Sequence, residues 1–204
     1  MINAKEKGLV IVISAPSGAG KSTICGEILQ RLPNSIFSVS VTTRKPRQNE
    51  VEGKDYYFIT EEKFKDMVMK SELAEWAFVH ENYYGTPKKY LEDTIKSGKD
   101  IILDIDVQGG KKIKQIYPDC VSIFIMPPSW EILEMRLRSR AQDSEVTIQR
   151  RLENAKGEFA YVEDYDYLVI NDVLEDAVNL AMSVIRVEHR KISRLSEDIR
   201  KYKL

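Results

Sequence analysis

Residues 9–23 read LVIVISAPSGAGKST, and the character of the chain changes twice within them. The first six residues, LVIVIS, are apolar without helical spacing, as expected of a strand buried on both faces of a sheet. Ala15, Pro16, Ser17, Gly18, Ala19 and Gly20 follow as small or turn-forming residues, and Lys21, Ser22 and Thr23 then open the amphipathic stretch ICGEILQRL. A strand, a glycine-containing loop and a helix opening with Lys-Ser-Thr make the arrangement of a phosphate-binding loop. Residues without bulky side chains let backbone N–H groups converge on phosphate oxygens, and the helix N-terminus adds free donors and a favourable dipole. In such a loop, residues 15–23 hold the phosphates of a nucleotide, Lys21 reaches the β and γ phosphates and the Ser22 hydroxyl sits on Mg²⁺, an arrangement open to a GTPase, a motor, a kinase or a synthetase. The strict pattern begins with Gly; Ala15 takes that place here and fits only at negative φ. A turn that merely connects strand to helix is the competing reading, and the strand before and helix after speak against it.

The bulk of the chain narrows what this loop serves. At 204 residues it is long enough for one core with small inserted lobes. Its 31 basic and 32 acidic residues leave a net charge of −1, so no global field draws nucleic acid or an anionic membrane, and neither is expected as a partner. Cys25 and Cys120 are in no CxxC spacing, and Cys25 falls inside a helical pattern, which argues against a disulfide framework or zinc site and for a reducing compartment. The charged start is followed by only six apolar residues and then a polar loop, unlike a secretory leader, and no stretch is long enough to cross a bilayer. A cytoplasmic protein is the expectation.

Three further apolar runs rich in Val and Ile, at 100–106, 121–126 and 167–171, read as companion strands of a parallel sheet. Residues 22–32, 108–117, 129–140, 145–161 and 173 onward carry apolar residues at three- and four-residue spacing, as covering helices do. The expected fold is α/β: a three-layer parallel-sheet core. Residues 37–57 and 76–84, rich in Ser, Thr, Tyr and Val around a helical stretch at 61–70, break the rhythm as a small β-rich lobe inserted between the first two core strands. The charged stretch 188–204, with Ile192, Leu195 and Ile199 as a narrow apolar stripe, docks on the body or on a second subunit; the two stay open, as does monomer against homodimer.

Asp104 ends an apolar strand, where ligands of open α/β sheets lie, and is positioned to orient Mg²⁺ or its water; capping the next helix is its alternative task. Within SVSVTTRKPRQNEVEGKDYYF, Arg44 and Arg47 flank Pro46, which forbids a regular helix, and two guanidinium forks at that spacing can close on one phosphate. Tyr56 and Tyr84 offer phenolic donors to the same group. Each of these arginines reads equally as a solvated surface residue, and the tyrosines as half-buried packing.

SAPSGAGKST, SVTTRKPR, EGKDYYF, EWAFVHENYYGTP, ILDIDVQG, the PPS after the third core strand and YLVIND together resemble guanylate kinase, of the nucleoside monophosphate kinase group, from about Gly8 to about Arg190. The resemblance implies a P-loop kinase with core residues 1–36, 97–130 and 158–204, a GMP-binding lobe at 37–96 and a helical lid at 131–157. It makes Glu75 the carboxylate that receives guanine N1–H and the exocyclic amine, with Ser40 and Thr86 as nearby hydroxyls, Thr86 standing where the family often has Ser. Asp106 matches a further carboxylate of the guanine pocket, and Arg44, Arg47, Tyr56 and Tyr84 match the clamp on the GMP phosphate.

Arg136 and Arg140 share one face of a helix by their spacing. With Arg151 they match the lid arginines that contact phosphate, Arg150 reads as a surface residue, and Asn171 matches a position beside the adenine of ATP. The implied reaction is transfer of the γ-phosphoryl group of MgATP to GMP, with Lys21, Arg44, Arg136, Arg140 and Arg151 as the catalytic set. A peptide-binding domain of the same fold characteristically loses the loop lysine, which is present here. A kinase for a ribose phosphate would not need Glu75, Ser40, Thr86 and Asp106 together.

Overall fold

The architecture is that of a computed structural model, described over residues 7–48, 50–79, 81–139 and 144–195. Two sheets form it. The larger is parallel, in the order β2 (Ser35–Phe37), β7 (Asp100–Asp104), β1 (Val10–Ser14), β8 (Val121–Met126) and β9 (Tyr167–Ile170). The register pairs Ile11 with Ile102 on one side of β1 and with Val121 on the other. Alternation along β1 sends Ile11 and Ile13 into one apolar layer with Ile24, Ile28, Val178 and Ile185, while Val10 and Val12 join Leu91, Ile95 and Ile113 in the other. Helices α1 (Lys21–Arg31) and α7 (Leu174–Glu188) cover the first layer, and α3 (Lys88–Lys96) and α4 (Val107–Ile116) the second. The three-layer parallel α/β fold expected of the four apolar runs is present.

Two elements escaped the sequence reading. Strand β2 is only three residues long and mixes Ser35 with Ile36 and Phe37, too little for a visible pattern, yet it pairs in register with β7 and makes a fifth strand. Helix α3 carries just Leu91, Thr94 and Ile95 to the core, a stripe too short to stand out beside its lysines. The run at 100–106 is strand only to Asp104, after which Asp106 begins the next helix.

The smaller sheet has the order β4 (Tyr56–Phe58), β3 (Ser40–Thr42), β6 (Asn82–Pro87) and β5 (Leu73–Val79). Helix α2 (Glu61–Met69), capped by Thr60, buries Phe64 against Val41 and Leu73, with its ring stacked on Tyr83 at 5.1 Å. Helices α5 (Trp130–Arg138) and α6 (Glu145–Phe159), capped by Ser129 and Ser144, share a separate apolar cluster of Leu133, Leu137, Ile148 and Ala155. Beyond α7, Ile192 is three-quarters exposed, and Ile199 lies outside the described residues.

Candidate active site

The loop between β1 and α1 is held in shape by its own backbone. Gly18 and Gly20 adopt φ of 94° and 92°, and Ala19 N–H donates to the Pro16 carbonyl at 3.0 Å. A Cβ at Gly18 would also lie 2.9 Å from Leu137 of α5, so this glycine is required twice over. Ala15 is absent from the described non-glycine residues with positive φ, which meets the condition its replacement of glycine sets. Gly20 caps α1 with no side-chain hydrogen bond, leaving the first N–H groups of the helix open to an anion.

Lys21 and Ser22 turn toward the end of β7. The Lys21 ammonium lies 2.5 Å from Asp104 Oδ1 and donates to the Ile105 carbonyl at 3.1 Å, while Ser22 Oγ donates to Asp104 Oδ2 at 3.3 Å. Burial by itself would lower the lysine pKa; the charge and hydrogen bond of Asp104 outweigh it and hold the group protonated, above the ordinary lysine range. No group of three His, Cys, Asp or Glu residues among those described could cage a metal ion. A serine hydroxyl and a carboxylate oxygen side by side do suit Mg²⁺, which takes few protein oxygens and keeps water and substrate phosphates as its other ligands.

The residues expected on the acceptor side come from three elements. Glu75 of β5 is 5% exposed and accepts a 2.6 Å hydrogen bond from Thr86 Oγ1 of the paired strand β6. Asp106 caps α4, accepting from Gly109 N–H at 3.0 Å and Gln108 N–H at 3.3 Å; the capping task weighed for Asp104 belongs to Asp106. Gly109 leaves the space that Glu75 fills, since a Cβ there would lie 2.9 Å from Glu75 Oε2. Burial raises the Glu75 pKa to about 7, the Asp106 charge pushes the same way, and the bond from Thr86 opposes both. A cavity of about 190 Å³ brings Lys21 and Asp104 together with Ser40, Tyr56, Glu75, Tyr84 and Asp106.

At the side of this cavity Arg44 Nε donates to Tyr84 Oη at 3.2 Å, and its guanidinium carbon stands 5.4 Å from the Tyr56 ring centroid. Its Nη2 donates to Glu50 at 2.7 Å, and the other Glu50 oxygen accepts the Arg47 N–H at 2.8 Å. Glu50 therefore shapes the arginine turn, a task that nothing in RKPRQNE advertises. The Arg47 side chain is exposed.

The guanylate kinase family model matches residues 7–188. The chain belongs to the guanylate kinase family. It is 46% identical to guanylate kinase of Thermotoga maritima, covering 97% of this chain and 96% of the relative. Identity to the guanylate kinase of Geobacter metallireducens is 48%, covering 96% of each. The crystal structure of guanylate kinase from Anaplasma phagocytophilum superposes with a TM-score of 0.78 at 37% identity, covering 93% of this chain and 90% of that one.

Of the lid arginines that membership in the guanylate kinase family implies, Arg136 lies on α5 and donates to the Asn171 carbonyl at 2.9 Å, and Arg151 is half-buried on α6. Arg140 lies outside the described residues. Arg150 is exposed, in keeping with a surface position. Arg138, which the sequence did not single out, joins α5 to α6 by donating to Glu145 at 2.5 and 2.8 Å. Asn171, matched by resemblance to the neighbourhood of adenine, is buried, and its side chain is engaged by the phosphate loop: Nδ2 donates to the Ala19 carbonyl at 2.7 Å. Glu158 of α6 also escaped notice; its carboxyl pKa is raised by burial and it faces the Ser17 backbone. No helix among the described residues is long and apolar enough to cross a membrane.

Proposed function

We propose that the chain transfers the γ-phosphoryl group of MgATP to GMP, giving ADP and GDP. The observation that carries this is the shared cavity, in which the loop lysine stands within one space of Glu75 and Asp106. The phosphate loop cradles the donor phosphates through backbone N–H groups, and Ser22 and Asp104 are the residues that would hold Mg²⁺, which would supply charge neutralisation at the donor phosphates. Lys21 is kept charged for the same phosphates. Glu75, as carboxylate, accepts guanine N1–H and the exocyclic amine, a donor pair that adenine lacks, while Thr86, Ser40 and Asp106 fix its surroundings. Arg44, braced by Glu50 and Tyr84, aligns the acceptor phosphate with Arg47, Tyr56 and Tyr84.

No nucleophile on the protein is required. Position and charge make the transfer: the acceptor oxygen attacks in line, and Arg136, Arg140 and Arg151 close on the transferring group and exclude water. The smaller sheet with α2, within the 37–96 stretch whose last helix α3 packs on the core, and the lid at 131–157 move over the core to gate turnover. The test is ADP formation with MgATP and each of GMP, AMP, CMP and UMP. Turnover with GMP alone is expected; GMP binding without turnover would make this a non-catalytic relative, and turnover with none would remove the guanine pocket.

A further inference from the structure

At the end of β9, Asn171 joins the phosphate loop to a lid arginine, and phosphoryl transfer as set out above assigns Asn171 itself no part. The residue is anchored in the core sheet, its N–H donating to the Met126 carbonyl at 2.7 Å, and it is 6% exposed. Its side-chain amide donates to the carbonyl of Ala19 at 2.7 Å. The fit is close: a Cβ on Gly20 would lie 2.3 Å from Asn171 Nδ2. The Asn171 carbonyl accepts from Arg136 of α5 at 2.9 Å, so the loop and a lid arginine share one anchor.

The Ala19–Gly20 peptide is trans and planar, so its C=O and N–H point in opposite directions. A phosphate loop binds with N–H groups, and whether this peptide offers phosphate a donor or an acceptor depends on which way it faces. Ala19 is flanked by Gly18 and Gly20, both at positive φ, and glycine is the residue whose backbone turns over with least steric resistance. The loop's own backbone ties the Ala19 N–H to Pro16; the Ala19 carbonyl is tied by Asn171, and its peptide runs into a glycine that resists turning over little.

We infer that Asn171 is a positioning residue that holds the Ala19 carbonyl back, and with it the Gly20 N–H toward the donor phosphates, independently of which base the donor carries. This rests on the loop reading above and differs from a contact with adenine, because it acts on the polyphosphate alone. The decisive probe is inorganic tripolyphosphate, which has no base.

Binding of MgATP and of magnesium tripolyphosphate is measured by calorimetry on the wild-type chain, Asn171→Ala and Asn171→Asp, the last of similar size but unable to donate when ionised. Leaving the Ala19 carbonyl without its donor is expected to weaken both ligands alike, by about 10- to 100-fold, with GMP affinity kept as the sign of an intact fold. Loss for ATP with tripolyphosphate unaffected would overturn the proposal in favour of a base contact, and no loss for either would overturn it outright. A wild-type chain that binds neither ligand would instead sink the loop reading on which the proposal stands. Should both variants fail to fold, the amide resonance of Gly20 in the wild-type chain decides: it shifts on adding tripolyphosphate if its N–H faces the phosphates, and an unmoved resonance overturns the proposal.

Discussion

The phosphate loop and the proposed guanine pocket meet in one cavity but are built in opposite ways. The loop is a continuous stretch of chain whose shape comes from Gly18 and Gly20 at positive φ and whose working groups are largely backbone N–H. The pocket is made of side chains from β5, β6 and the cap of α4, and its central group, Glu75, is a buried carboxylate that its surroundings barely keep ionised near neutrality. A site made of backbone tolerates change in most of its side chains and depends heavily on one charge. A site made of side chains spreads its selectivity over several groups, each of which can be altered by itself.

The largest effect tests that asymmetry directly. Lys21→Ala removes the side-chain cation fixed against Asp104 at the base of the loop and is expected to lower kcat by about 10³-fold, the scale of losing a key electrostatic group in phosphoryl transfer. GMP affinity, measured by calorimetry, should stay within a few-fold of wild type. A variant that keeps a near-wild-type kcat would mean that the opening stretch does not carry the donor chemistry.

The same asymmetry explains what could be read without coordinates. Residues 9–23 disclose strand, loop and helix because the spacing of small residues is itself the site. Asp104 could be placed by spacing at the end of a strand. Glu75, Thr86 and Asp106 are separated by 11 and 20 residues and become neighbours only through the β5–β6 pairing and the packing of α4, so only resemblance to a family named them together. Glu50 remained hidden, and Asn171 was named by resemblance only for a place beside adenine and not for its contact with the loop, for a related reason. Each acts by hydrogen-bonding a distant segment, Arg44 for the one and the Ala19 carbonyl for the other, and no local pattern records such a partner.

Next in size is Glu75→Gln. The amide presents one acceptor and one donor where guanine offers two donors, so the KM for GMP is expected to rise by about 10²-fold while that for MgATP changes little. Equal losses for the two substrates would take Glu75 out of the guanine pocket and make it a structural residue of the lobe. The substitution also has a stability signature. Burial raises the Glu75 pKa from 4.5 to about 7, so between these values the folded chain holds a proton that the unfolded chain has released. Ligand-free stability therefore falls as pH rises from about 4.5 to 7 and is level with respect to this group above that. Glu75→Gln should remove the slope and raise the melting temperature at pH 8.

The pH profile of binding gives a smaller effect that separates the two halves of the site without any mutation. If Glu75 receives guanine as proposed, it must be ionised, so GMP affinity is expected to fall by up to tenfold per pH unit below about 7, before the GMP phosphate itself takes up a proton near about pH 6. At the loop, Lys21 is held protonated by Asp104 throughout that range, and the carboxyl there whose pKa burial raises is Glu158, beside the Ser17 backbone. Calorimetric titrations with GMP and MgATP at pH 6 and 8 check this, and parallel losses for both nucleotides would place the titrating group outside the guanine pocket.

The smallest effect concerns Thr86, the hydroxyl paired with Glu75 across β5 and β6. Its hydroxyl donates to Glu75 Oε1 at 2.6 Å and is among the influences that resist the upward push of burial on that carboxyl. Thr86→Val keeps the shape and deletes the donor, so the Glu75 pKa should rise further and the KM for GMP at pH 7 should increase about tenfold, with part of the loss recovered at pH 8. Thr86→Ser keeps the donor and removes only a methyl group, and is expected to stay within about threefold of wild type in GMP affinity. The pair divides the threonine into its two parts. If Ser fails as badly as Val, the methyl packing under β6 matters more than the hydroxyl. The guanine pocket would then owe its ionisation to Lys112, whose charge also lowers the Glu75 pKa, more than to the bond across the β5–β6 pair.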